Sequence, residues 1–152
     1  MRQFTGVTAF AEAVGEELGH TSWLTLSEDR IAAFHMATGS AKSLRPDGHE
    51  PGFVPEYLVI AAVSPLLKGL YDVANVAVRI NYGVNLVKFH SRVRVGSRIR
   101  ARAQLASAEQ ATAGYRVAVR LDIECDGHLE DVGSAEVVMM FVAQNRMSGE
   151  SG

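Results

Sequence analysis

The sequence predicts an α+β fold in which an antiparallel sheet wraps one buried helix. Three observations carry this expectation. Between Glu56 and Leu70 the apolar residues Leu58, Ile60, Ala61, Ala62, Val63, Leu66, Leu67 and Leu70 run nearly all round a helical wheel, the pattern of an enclosed helix. After Tyr71 the apolar period changes from helical to two, the signature of strands with one face covered. The 152 residues, 47% hydrophobic and 21% charged, make one soluble domain large enough to fill a core.

Taken in order, Phe10 to Leu18 reads as a short amphipathic helix ended by Gly19, and Trp23 to Leu26 as a brief extended piece. Ser27 is placed to cap a second helix, with Glu28 and Asp29 in its first turn where the helix dipole favours acids. Ile31, Phe34 and Thr38 form one face of that helix, and Gly39 stops it. Ala41 to Gly52 has almost no apolar content and reads as a loop. Pro55 suits the start of the buried helix, where a missing N–H costs nothing, and Pro65 predicts a kink or early break within it. Strands are expected at Ala74–Ile80, Leu86–His90, Ile99–Ser107, Tyr115–Glu124 and Val132–Val142. Ala113-Gly114 and Asp126-Gly127 supply hairpin turns. The tail over 145–152 is polar and glycine-rich and reads as frayed. The long C-terminal strands leave a sheet edge to protect, and a homodimer is the simplest protection.

A net charge of −2 supplies no long-range attraction to nucleic acid or acidic membranes. Tyr57–Leu67 is too short to span a bilayer, and the N-terminus lacks a basic region followed by an apolar run, so the expected location is cytoplasmic. Cys125, the single cysteine, falls in an apolar alternation and reads as a small core residue. Arg92, Arg94, Arg98, Arg100 and Arg102 share one face; a solvated sheet surface is the plain account, a patch for coenzyme A phosphates or a carrier-protein arm the sharper one. His20, His90 and His128 have no metal-ligand spacing, and no cofactor motif is present.

Two segments carry a family resemblance. The first runs from Val14-Gly15 through Ser22-Trp23-Leu24-Thr25-Leu26 and Ile31…Phe34 to Thr38-Gly39; the second is Asn81-Tyr82-Gly83-Val84-Asn85 with Val87-Lys88-Phe89 and Val93-x-Val95-Gly96-Ser97. In this order they resemble the NodN-like branch of the MaoC-like hydratases and dehydratases, over about residues 10 to 142. The resemblance implies a single hot-dog domain over 1–152 that acts on acyl thioesters of coenzyme A or acyl carrier protein without a cofactor. In that family an Asp after Thr-Gly and a His opening the central helix act as acid and base on the β-carbon oxygen. The helix N-terminus holds the thioester carbonyl as it gains negative charge. Here Ser40 follows Thr38-Gly39, and the His position falls on Glu56, or on Pro55 in a register one residue away. The dyad is missing, so the implied activity is that of a lyase-like enzyme with a rebuilt site. A hot-dog thioesterase and a non-catalytic acyl-binding subunit of a dehydratase stand as alternatives.

Glu56 is the foremost acid/base candidate, since a carboxylate at the mouth of a buried helix is open to desolvation; its plainer role is to complement the helix dipole. Tyr57 either sends its hydroxyl into an acyl tunnel or fills the space of a missing glycine. His49, in the loop, is placed to supply the lost imidazole or is simply exposed. His35 stands close enough to Ser40 in sequence for the two to pair, with a surface position as its plainer account. Asn81 and Tyr82 are candidates for substrate binding, with a structural alternative in which Asn81 ties down a bulge before Gly83.

Overall fold

Alternation sorts the long strands into an apolar face and a charged one, and the helix lies against the apolar face. In the computed structural model, which describes residues 1–40 and 52–144, the elements in chain order are β1 (Arg2–Phe4), α1 (Val7–Glu12), β2 (Glu17–His20), β3 (Leu24–Thr25), α2 (Glu28–Thr38), α3 (Glu56–Val63), a 3-10 turn (Ser64–Gly69), β4 (Tyr71–Val73), β5 (Val76–Phe89), β6 (Arg98–Ala111), β7 (Gly114–Cys125) and β8 (Gly133–Ala143). The main sheet has the order β2-β6-β7-β8-β5, with β3 also on β6; β1 and β4 form a small parallel pair. The meander β6–β7–β8 is antiparallel, and β5 joins it on the far side of β8.

The core is the inner face of that sheet with the helix in its curve. Ile99, Ala101, Ala103 and Leu105 of β6, Val117, Val119, Leu121 and Ile123 of β7, and Phe141 of β8 are fully buried against Leu58, Val59, Val63 and Leu67 of the helical segment. Small side chains on β6 let α3 approach it. Cys125 lies in this core, where burial pushes its thiol up and so keeps it protonated and inert. The outer face is charged and paired across strands. Arg100 bonds Glu124 at 2.6 Å, Arg102 bonds Asp122 at 3.3 Å, and Arg98 bonds Asp126 at 2.6 Å. Burial raises the Glu124 carboxyl, but Arg100 and His20 together hold it below the usual range. Three of the clustered arginines therefore serve the sheet surface.

Several sequence expectations are met. Ser27 caps α2 by accepting from the Arg30 N–H, and Gly39 ends it at φ 72°. Pro65 ends regular α-helix: α3 stops at Val63 and continues as the 3-10 turn. Others are corrected. The first helix is Val7–Glu12, and Leu18 belongs to β2, because Gly15 turns the chain at φ 91° and β2 then pairs with β6. The two strands expected around Asn81-Tyr82-Gly83 are one strand, β5, whose bulges at 81–83 and 85–88 break the alternation without ending the pairing. Asp126-Gly127 opens a longer connection to β8 instead of a tight hairpin.

Gly114 is required at the β6–β7 turn. A Cβ there would sit 2.0 Å from the Phe141 carbonyl oxygen, a backbone atom with no room to retreat. Gly114→Ala is expected to cost about 3 kcal/mol, as overpacking against fixed atoms does. That corresponds to a fall in melting temperature of roughly 10 °C. An unchanged melting curve would show that this strand end yields freely.

Candidate active site

The helix mouth is fixed by the Val-x-Val-Gly-Ser turn. Val54 N–H bonds the Val93 carbonyl at 2.8 Å, and Val95 N–H bonds the Gly52 carbonyl at 2.9 Å, so the strand-like piece before α3 is pinned to 93–95. The same turn anchors the entry to α2: Gly96 N–H bonds the Leu26 carbonyl at 2.8 Å, and Leu26 N–H bonds the Ser97 carbonyl at 2.9 Å. Gly96 holds φ 87°, a conformation that favours glycine. One short turn thus sets α2 and α3 relative to each other.

At that mouth, Glu56 is half-buried, and its carboxylate has no hydrogen-bond or ion-pair partner among the described residues. Leu58 N–H bonds the Pro55 carbonyl at 3.0 Å, whereas the Glu56 and Tyr57 N–H groups precede the first intrahelical bond and have no partner among the described residues. Tyr57 is 74% exposed and meets Phe89 edge-on at 5.6 Å. It does not fill interior space. Phe53, just before the mouth, lies under Arg92 at 4.1 Å and Arg94 at 5.0 Å. These two arginines stand beside the mouth.

The helical segment is not enclosed on every side. Tyr57, Ala61, Pro65 and Lys68 are exposed and recur at helical spacing, forming one open stripe. α3 packs on β6, while the inner face of β5 carries Phe89 at one end and Asn81 and Arg79 at the other. The stripe meets the inner face of β5 at both ends, at Tyr57 with Phe89 and at Lys68 with Arg79 and Asn81, and the two border a groove. Tyr57 and Phe89 touch at its mouth. Ser64, Lys68, Tyr71, Arg79, Asn81 and Met139 line a cavity of about 240 Å³ at its far end.

The second cluster is at the end of α2. Gly39 turns the chain so that Ser40 returns over His35, which is 8% exposed. His35 Nδ1 lies 2.7 Å from Ser40 Oγ, Ser40 Oγ lies 2.8 Å from Thr38 Oγ1, and Thr38 Oγ1 donates to the Phe34 carbonyl at 2.9 Å. All three bonds form together in one arrangement: Thr38 O–H donates to the carbonyl, Ser40 O–H to Thr38, and His35 Nδ1–H to Ser40. The proton then sits on Nδ1, and Nε2 keeps its lone pair. Nε2 has no partner among the described residues, where no buried side-chain nitrogen or oxygen lacks one, so it opens outward. In this arrangement Ser40 orients the imidazole, and nothing accepts the Ser40 proton as a base would.

The other candidates separate. His49 lies outside the described residues. Tyr82 is 62% exposed and borders a depression with Arg116, Ala118 and Val138 on the outer face of the sheet, apart from the helix mouth. Asn81 does sit at a bulge, but its amide makes no bond there and faces the far cavity. No hydrogen bond joins His35 or Ser40 to Glu56. Sequence reasoning passed over Ser64, Lys68, Tyr71, Arg79 and Met139; the one signal was Lys68, a lone charge on an apolar helix.

Known proteins share this architecture. The chain is 30% identical over 151 residues to 3-hydroxyacyl-thioester dehydratase Z of Mycobacterium tuberculosis, covering 94% of this chain and all of that one. It is 27% identical over 125 residues to nodulation protein N of Rhizobium leguminosarum, covering 73% and 78%. The solved MaoC-like dehydratase of Rhodospirillum rubrum superposes with a TM-score of 0.62 at 14% identity, over 86% of this chain and 93% of that one. No family model matches. With 30% identity along almost the full length of both chains, and a sheet wrapped round one helix as in the solved dehydratase, the chain is a hot-dog protein and belongs to the MaoC-like hydratase and dehydratase family.

Proposed function

We propose that the chain is a lyase-like enzyme that adds water, or another small nucleophile, to the β-carbon of an α,β-unsaturated acyl thioester, or eliminates it. The observation that carries this reading is the Glu56 carboxylate, unpaired among the described residues, beside two N–H groups with no partner among them, at the mouth of a groove bordered by α3 and β5. The name of the mycobacterial relative, a 3-hydroxyacyl-thioester dehydratase, supports the same chemistry. The thioester carbonyl oxygen takes hydrogen bonds from the Glu56 and Tyr57 N–H groups, which strengthen as enolate charge develops. Glu56 removes a proton from the attacking water as the carbon–oxygen bond forms and returns it to the α-carbon; in elimination the steps reverse. His35 Nε2 accepts a hydrogen bond from the second O–H of that water, which stays on oxygen as the product hydroxyl, while Ser40 is the positioning residue that fixes the His35 tautomer. Glu56 and the Ser40–His35 pair replace the family's His and Asp with different groups.

Incubating crotonyl and longer enoyl thioesters of coenzyme A and acyl carrier protein with the protein, followed by mass spectrometry, tests this. Gain of water, or of an added amine, supports the reading. Loss of the acyl group would make the protein a thioesterase, and unchanged substrate would make it an acyl-binding subunit.

The proposed assembly is a homodimer through β5. This strand has 14 residues and one unpaired edge, and it exposes Val78, Ile80, Tyr82, Val84 and Leu86. Antiparallel pairing of two copies would close both edges at once. Sedimentation at micromolar concentration is expected to give twice the chain mass of 16.4 kDa, and Val84→Lys to shift it toward the single chain. A wild-type mass of one chain would overturn the assembly.

A further inference from the structure

We infer that the far end of the groove is a carboxylate-binding site, so that the preferred acyl group is one ending in a carboxylate, such as the monothioester of a dicarboxylic acid. This rests on the proposed acyl-thioester function and narrows its substrate class. The cavity of about 240 Å³ is lined by donors that the protein leaves unused. The Lys68 ammonium, the Asn81 amide and the Ser64 hydroxyl have no partner among the described residues. Tyr71 is only 2% exposed, yet its hydroxyl reaches nothing better than the Met139 sulfur at 4.0 Å, and a thioether is a weak acceptor. Burial pushes that hydroxyl up to about 12, against the opposing pull of Arg79, so it stays a donor. Arg79 is committed to Asp72 at 2.9 Å, which leaves Lys68 as the uncompensated charge.

Four donors and one net positive charge call for a compact monoanion with two oxygens. A methyl-ended chain would strip water from Lys68, Asn81 and Tyr71 and replace none of their hydrogen bonds, a penalty that sets specificity by rejection. The placement fits a chain terminus. Ser64 lies eight residues beyond Glu56, roughly 12 Å along the helix at about 1.5 Å per residue, so a thioester held at the mouth would lay its tail along the stripe toward Lys68.

Equilibrium binding of two saturated, unreactive acyl-CoA thioesters of equal length, one methyl-ended and one carboxylate-ended, tests the inference, with the free dicarboxylic acid as a third ligand. The carboxylate-ended thioester is expected to bind about tenfold more tightly, the scale of one charged hydrogen bond. Lys68→Met, at an exposed position, and Tyr71→Phe, which keeps the ring, are each expected to remove most of that preference, weakening the carboxylate-ended thioester while the methyl-ended one binds as well or more tightly. Equal or tighter binding of the methyl-ended thioester by wild type would overturn the carboxylate site and leave the thioester function standing. Failure of both thioesters would instead sink the function. In that case, free-acid binding lost in Lys68→Met would support a site for small acids, and absence of free-acid binding would remove the site as well.

Discussion

Glu56→Gln is expected to lower turnover of an enoyl thioester by about 10²–10⁴-fold, the usual contribution of a positioned acid or base. Thioester binding should stay within a few-fold. The amide keeps the size and hydrogen-bonding reach of the acid and loses only its ability to carry the proton from water to the α-carbon. Because the carboxylate has no ion-pair partner among the described residues, no contact seen there disappears with it, and the melting temperature should not move. Glu124→Gln gives the opposite signature. It breaks bonds to Arg100 at 2.6 Å and His20 at 3.2 Å on the outer face, so it should touch stability and leave turnover alone. A fully active Glu56→Gln alongside a dead His49→Ala would move the catalytic role into the segment after Ser40.

The helix and the meander were legible because each repeats a simple period. Apolar residues crowd the wheel between Leu58 and Leu67, and strict alternation marks β6 and β7. β5 was harder to read. Its register shifts at three places, and the shift at 81–83 brings Val84 and Asn81 to the same side of the sheet although they are three residues apart. Period alone divides such a strand. The first helix was misplaced because Phe10, Val14 and Leu18 have helical spacing, while Gly15 and the pairing of β2 with β6 decide the outcome. At the site, the meeting of His35 and Ser40 was visible in their separation and the glycine between them. The groove was not, because it requires one exposed stripe of the helix to face a strand that follows it in sequence. Lys68, Tyr71 and Arg79 come together only in three dimensions.

His35→Gln is expected to reduce turnover by about 10²-fold, at the lower end of acid/base effects, since in the proposed mechanism the imidazole holds the water that Glu56 deprotonates. The size of the effect depends on which ring nitrogen carries the proton. With Nδ1–H given to Ser40, and Ser40 tied in turn to Thr38, Nε2 is an acceptor of fixed direction. Ser40→Ala removes the tie and leaves the imidazole in place, so it should cost about tenfold, seen in kcat with little change in KM, as expected for a contact that matters in the transition state. Ser40→Thr retains the hydroxyl and should recover most of the loss. A nucleophilic Ser40 predicts a different ranking: Ser40→Ala would be as damaging as His35→Gln, and an acyl-enzyme would accumulate with wild type and a thioester in a single turnover. Detection of that adduct on Ser40 would replace the water-holding role with covalent catalysis. Its absence, with Ser40→Ala retaining a tenth of the rate, would fix Ser40 as the group that aims His35.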